Sequence, residues 1–489
     1  MSDSLNGVTP SERLLSELCQ RSFLRLWSYA NPHKDDGHEF CDVIAVFENH
    51  VFIFFDREKV LPEILVTDDP MIRWNRWKRD AIDRQITTAN GAERYIKSGR
   101  RIYLDAKKTK LLPVKIDLTK VIVHKIVVAH GAAEACKNFS DTNVYGSLAI
   151  SYHDMTHGTP PPFPFMVALD KERPIHIFDT HNLPIIFREL DTVKDFSDYL
   201  DAKIEAIRKY DMLTYCGEED LLANYWMNLD KKTGKHFVGV PDGTVNVVMI
   251  GEGEWKDLID LEQYKSTKTA NQISYFWDDI IQRTCDNWLN GRLLGDADLL
   301  RRPSAIFEMA KEPRFMRRIL VEHIKEAIEN FPKTEQLTRH MRFFRSFYSK
   351  TGYVFIQVWI PPELRKGEID DRSIRREMLR IACGAAKNKF PDLEIVVGIA
   401  IEPPRMTTSI GEDFIWMDCR GWTDKDREEI LDSNRAWGFF DTGKLREGTH
   451  TEFVAPQTKS VARARPRKPG RNDPCPCRSG LKFKRCHGR

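Results

Sequence analysis

The chain has no run of about 18 consecutive apolar residues, so no segment is expected to cross a bilayer as a helix, and membrane insertion is not expected. It has no Gly-x4-Gly-Lys-Ser/Thr stretch, which argues against a phosphate-loop motor. Its first residues, Met1 to Leu15, offer neither a basic head nor an apolar core. No secretory signal is therefore read, and a cytoplasmic protein is expected. A dominant charge sign is also missing: 75 Lys and Arg face 72 Asp and Glu, for a formal net charge of +3. Clustered cysteines are scarce over most of the chain. Cys19, Cys41, Cys136, Cys216, Cys285, Cys383 and Cys419 stand singly among apolar or helical segments. They read as reduced, mostly buried thiols rather than a disulfide framework.

What remains is ordinary soluble composition. Of the 489 residues, 41% are hydrophobic and 30% charged, enough for several buried cores and two or three domains. The pattern reads as a multidomain α/β (mixed α+β) protein with a small C-terminal knuckle. The expected units are an α/β domain over 1–130, a mixed α/β region over 131–335 and a small α/β domain over 336–445. A basic linker over 446–470 and a metal-binding tail over 471–489 follow.

Local signals support this division. Thr9-Pro10-Ser11-Glu12 supplies an N-cap, a proline at the first helical position and a capping-box glutamate. Leu14, Leu15, Leu18, Cys19 and Phe23 then recur at helical spacing. Phe40 to Phe47 and Val51 to Phe55 read as a hairpin. A helix is predicted over 70–98, with a break near Asn90-Gly91, then strands over 101–104 and 121–128. In the middle region, strands are predicted over 147–152, 165–168, 175–178 and 245–250, and helices over 193–209, 273–290 and 315–330. In the third unit, strands at 353–359, 393–401 and 414–417 surround a helix at 373–389. The composition from Arg446 to Gly470 turns to Lys, Arg, Pro, Thr and Ala, as a linker requires.

The tail is the most specific feature. Cys475, Cys477, Cys486 and His487 form a C-x-C-x8-C-H pattern. Zinc takes four soft or borderline donors in a tetrahedron, and three thiolates with one imidazole are a standard structural set. So short a segment has no core of its own, so metal binding would supply its folding energy. Residues Gly470-Arg471-Asn472-Asp473-Pro474-Cys475-Pro476-Cys477, Ser479-Gly480 and Lys484-Arg485-Cys486-His487-Gly488 resemble the SEC-C motif of the preprotein translocase ATPase C-terminus. The resemblance implies the same four zinc ligands. It also implies a docking module, because in the translocase family this knuckle contacts an acidic chaperone and the ribosome. Arg478 departs from the family's glycine, which implies reduced stability where that position needs positive φ. Nearly every charge from Lys459 to Arg489 is basic, a local field suited to nucleic acid or an acidic protein surface.

The first 130 residues resemble, in outline, the restriction-endonuclease-like PD-(D/E)XK superfamily. Asp42 opens the first hairpin strand, and the second ends Asp56-Arg57-Glu58-Lys59. The resemblance implies metal-assisted phosphodiester hydrolysis of DNA or RNA. Asp42 and Asp56 would hold Mg²⁺, which takes oxygen ligands. Glu58 would support them, and Lys59 would orient water or stabilise developing charge. Glu17 and Gln85 are further candidates. The strict spacing fails, because lysine comes three residues after Asp56. Asp105-Ala106-Lys107 keeps the strict spacing and offers a competing register. Arg73 to Arg79 interleaves tryptophan with basic residues, which suits either nucleic-acid contact or an amphipathic helix with buried tryptophans. His153, His157, His176, Asp179 and His181 mimic a metal constellation but read better as ordinary surface histidines. The competing reading of the whole chain is a non-enzymatic adaptor that docks on a ribosome, a chaperone or nucleic acid through its zinc tail.

Overall fold

The computed structural model describes residues 9–453, apart from 64–68, 140–144, 158–161, 242–243, 290–303, 364–370, 408–411 and 442–449. The four zinc-ligand candidates and most of the expected linker lie outside the described residues. The fold is mixed α/β, as expected, with three main sheets and helices between and around them.

Among the described residues the strands, in chain order, are β1 (Ser28–Ala30), β2 (Val43–Phe47), β3 (His50–Glu58), β4 (Ile122–His130), β5 (Ala149–His153), β6 (Met166–Asp170), β7 (His176–Asp179), β8 (Met212–Cys216), β9 (Leu229–Asp230), β10 (Lys235–His236), β11 (Val247–Ile250), β12 (Thr338–Arg345), β13 (Thr351–Trp359), β14 (Ile395–Ile401) and β15 (Glu412–Asp418). The first sheet runs β1-β2-β3-β4-β7. β1, β2 and β3 are antiparallel neighbours, whereas β3, β4 and β7 are parallel. This sheet reaches past residue 130 for its fifth strand. The second sheet is β11-β8-β5-β6, the third is β12-β13-β14-β15, and β9 and β10 pair separately.

The opening helix, Pro10–Phe23, starts as the sequence dictates. The Thr9 side chain accepts from Glu12 N, and Glu12 returns the bond to Thr9 N. Its buried face ends at Phe23, which stacks on Phe52 and meets Phe187 and Phe196 edge-on. One face of the first sheet is thus sealed by aromatic rings from three helices. The other face lies under the chain from Pro70 to Lys97. That segment does not break at Asn90-Gly91: helix continues across them, and a π turn at Arg79–Asp83 interrupts it instead. Trp74 and Trp77 are buried and stacked 5.3 Å apart, so the tryptophans of the basic stretch are core residues.

No strand forms over 101–104: Tyr103 makes only isolated bridges, to His33 and Leu111. Asp105, of the competing Asp-x-Lys register, holds a turn by accepting from Thr109 N, Thr109 Oγ1 and Lys110 N. The third sheet shows the period of two clearly. Tyr353, Phe355, Val397 and Ile399 join the main core, while Val354, Ile356, Val396 and Ala400 form a second core beneath helix Asp371–Lys389. Of the seven single cysteines, all but the half-buried Cys216 are buried. Among the described residues, no helix is long and apolar enough to cross a membrane.

Candidate functional site

Parallel strands β3, β4 and β7 end together, and the sequence leaves polar residues there. In open α/β sheets this carboxyl edge is where ligands bind. Phe52, Phe54 and Asp56 alternate onto one face of β3, so Asp56 is the first polar residue beyond the aromatic layer. His130 ends β4 and Asp179 ends β7.

Asp42 and Asp56 are brought together. Asp42 Oδ2 accepts from Asp56 N at 2.6 Å, so a side-chain carboxylate continues the ladder where β2 stops. Burial pushes the Asp42 carboxyl up to about 7, the nearby charges of Glu39 and Glu12 add to that, and the Asp56 amide opposes it. The Asp56 side chain is itself buried. His130 Nε2 stands 2.9 Å from Asp56 Oδ1, an ion-pair distance, although the two are not aligned as a hydrogen bond. Neither Asp56 oxygen has a hydrogen-bond donor. His130 Nδ1 lies 3.1 Å from Thr180 Oγ1, which sets the ring's orientation.

Glu58 lies at the exposed end of β3. Lys59 faces away: its ammonium is held by Asp80 of the π turn, and its carbonyl accepts from Trp77 Nε1 at 2.6 Å. Three residues is an odd spacing, so in a strand the two side chains project to opposite faces. Glu17 is exposed on the first helix, and Gln85 is half-buried on the opposite side of the sheet.

Four residues of this edge were missed or misread from the sequence. His130 is one. Asp179 is another: it is buried, not a surface group, and accepts from His181 N, Asn182 N and Leu148 N at 2.9–3.0 Å. It thereby caps helix Asn182–Glu189 and ties it to the second sheet. His176 is likewise buried, on the opposite end of β7. Glu219 is the third, 1% exposed and bonded by the Ser147 hydroxyl. Burial and the Asp179 charge push its carboxyl up to about 8, so at neutral pH it carries a proton. Its Oε2 has no hydrogen-bond partner, nor does Nε2 of His181, which lies 3.9 Å from Oε1 and stacks on Tyr145. Gly217, the fourth, is the N-cap of helix Glu218–Met227 at φ +111, where an added Cβ would stand 2.7 Å from Glu219 Oε1. The available signal was the Cys216-Gly217-Glu218-Glu219-Asp220 run, with glycine and three acids directly after an apolar strand.

Chemically, this edge offers a carboxylate–imidazole pair and a protonated buried carboxyl. Groups of these kinds, held out of water at a strand edge, are suited to general acid–base work.

The tail can be placed by comparison. Residues 471–489 match the SEC-C motif family. The chain carries a SEC-C motif. Curated relatives that match it are protein translocase subunits SecA. That of Parabacteroides distasonis is 51% identical over 41 residues, 8% of this chain and 4% of that protein. That of Anaeromyxobacter sp. is 48% identical over 48 residues, 10% and 5% of the two chains. That of Myxococcus xanthus is 54% identical over 46 residues, 9% and 4%. The chain therefore spans only about a twentieth of the length of these relatives. No solved structure matches the chain.

Proposed function

We propose that this protein joins a zinc-binding SEC-C docking tail to a hydrolytic centre at the carboxyl edge of its first sheet, acting on phosphodiester bonds of DNA or RNA. The observation that carries the hydrolytic reading is the buried Asp56–His130 pair at 2.9 Å, with both carboxylate oxygens undonated. His130 takes a proton from the attacking water, and Asp56 steadies the imidazolium that results. Glu219, protonated, donates toward the leaving oxygen. Mg²⁺, where bound, would polarise the phosphoryl group. Asp56, Asp42 and the exposed Glu58 would be the residues to hold it, because Mg²⁺ takes oxygen ligands. In this scheme His130 supplies the positive charge that the sequence pattern assigned to Lys59.

The SEC-C match favours a second reading, a non-enzymatic adaptor whose tail binds a protein surface or nucleic acid. Cys475, Cys477, Cys486 and His487 are the zinc ligands in both.

The test is incubation of the full chain with labelled single- and double-stranded DNA and RNA, in Mg²⁺, Mn²⁺ or EDTA. Cleavage that falls at least tenfold in both Asp56→Asn and His130→Gln, each still folded, supports the hydrolytic reading. Cleavage unchanged in both variants places the hydrolytic site elsewhere in the chain, and cleavage absent with every substrate leaves the adaptor reading.

A further inference from the structure

The face of the first sheet that ends in Asp56 and His130 is polar at its other end too. β3 begins with His50, β4 carries His124 and β7 begins with His176. The alternation that turns Phe52, Phe54 and Ile126 inward places these imidazoles on the same face. The His50 and His124 rings stack 5.3 Å apart, and His176 tilts against His124 at 5.7 Å. Asp201, on helix Val193–Lys209, closes the group from the layer above.

The donor atoms converge. His50 Nδ1 lies 3.0 Å from His124 Nε2, and His124 Nε2 lies 3.5 Å from Asp201 Oδ1. One donor atom from each of the three residues lies within 4.8 Å of the others, the only such set of three or more His, Cys, Asp or Glu among the described residues. A tetrahedral zinc with ligand bonds of about 2.0–2.1 Å spaces its donors about 3.3 Å apart. The two measured separations bracket that edge.

The surroundings fit a cation better than a packing role. His124 is fully buried, and its Nδ1 has no hydrogen-bond partner; neither has Nδ1 of the buried His176. A packing role alone would favour apolar side chains, because a buried polar nitrogen without a partner costs about 1–3 kcal/mol. Asp201 supplies a carboxylate oxygen, and its side chain is 43% exposed, so the group is reached from solvent.

We propose that His50, His124 and Asp201 form a second metal site, for a zinc-class divalent cation with one open coordination position. Two imidazoles with one carboxylate suit zinc, cobalt or nickel better than Mg²⁺, which prefers an all-oxygen shell. The site is independent of the SEC-C tail and stands at the opposite end of the sheet from Asp56.

The experiment uses the full chain with Cys475→Ser, Cys477→Ser and Cys486→Ser, which removes thiolate binding by the tail. The protein is stripped with chelator, dialysed, and titrated with Zn²⁺ and with Co²⁺. One equivalent of zinc is expected to bind, with cobalt giving d–d bands and no thiolate charge-transfer band. Adding Asp201→Asn or His50→Gln is expected to weaken binding at least tenfold while circular dichroism stays unchanged. No zinc bound by the tail-disabled chain overturns the proposal. So does binding that survives in both added variants. Because the tail is disabled throughout, failure here leaves zinc binding at the SEC-C motif untouched.

Discussion

Gly131 stands where the ends of β3 and β4 touch, directly after His130. Its φ is +98, and an added Cβ would lie 2.2 Å from the Lys59 carbonyl oxygen, with the next nearest atoms also backbone of Lys59 and Val60. No side-chain rotation relieves that contact. Gly131→Ala is therefore expected to cost about 3 kcal/mol or more, from overpacking and strain together. Gly234 also has positive φ, +68, but open space around it. Gly234→Ala is expected to cost only about 1 kcal/mol. Denaturant midpoints of the two variants separate steric closure from backbone preference, and equal losses would refute the closed-edge geometry. At this scale the sequence was half legible. Asp42 and Asp56 were singled out, and they do meet. Their partner His130 lies 74 residues beyond Asp56, on a strand whose pairing no local pattern announces. Lys59 drew notice through sequence proximity, but the two-residue period of a strand sends it to the other face.

Helices with caps and strands with continuous apolar runs were the readable elements. Thr9 and Glu12 marked the first helix, and the third sheet's β13, β14 and β15 matched their apolar runs within about two residues, ordinary boundary scatter. β12 was missed because Arg339, Arg342 and Arg345 interrupt its apolar positions, Met341 and Phe343. Helix Asn182–Glu189 was missed because it has only eight residues and carries Pro184 in its first turn, and helix Glu218–Met227 because it is buried on most sides and shows little amphipathic contrast. The second of these is fixed by a buried ion pair. Lys203 Nζ reaches both Glu218 oxygens at 2.7 Å, and Tyr199 and Tyr215 hydroxyls donate to the same carboxylate. Both charges are fully buried. Lys203→Met strands Glu218 as a charge without its counterion, and a loss of about 3–5 kcal/mol is expected. The double variant Lys203→Met with Glu218→Leu removes both charges and is expected to recover part of that loss. Urea unfolding of the two variants tests this, and a double variant no more stable than the single would contradict it.

On the scale of the whole molecule, a buried acidic seam is among the contacts that join the third sheet to the rest. Glu312, 1% exposed, accepts from the Tyr353 hydroxyl at 2.8 Å and from Ser346 Oγ at 3.0 Å. Thr351 bonds Glu308 beside it, and Trp277 meets the Tyr353 ring edge-on. The segment leading to the tail returns to the same body, where Arg318 Nη2 donates to the Thr451 and Glu452 carbonyls. Burial pushes the Glu312 carboxyl up to about 7, against the two hydroxyl donors. A folded pKa above the unfolded value of about 4.5 means that folding favours the protonated form. The contribution is therefore complete below about pH 4.5 and is lost as pH rises through 7. The loss reaches on the order of 3 kcal/mol by pH 9. Glu312→Gln keeps a neutral side chain of the same shape at every pH. It is expected to resemble the native chain near pH 5 and to unfold at a higher temperature than the native chain at pH 9. Calorimetry at both values decides the matter: a variant that loses as much stability as the native chain between pH 5 and 9 would place the ionisation elsewhere. If the seam is the weak join, proteolysis between the middle region and β12 should quicken in the native chain above pH 7 and stay slow in the variant.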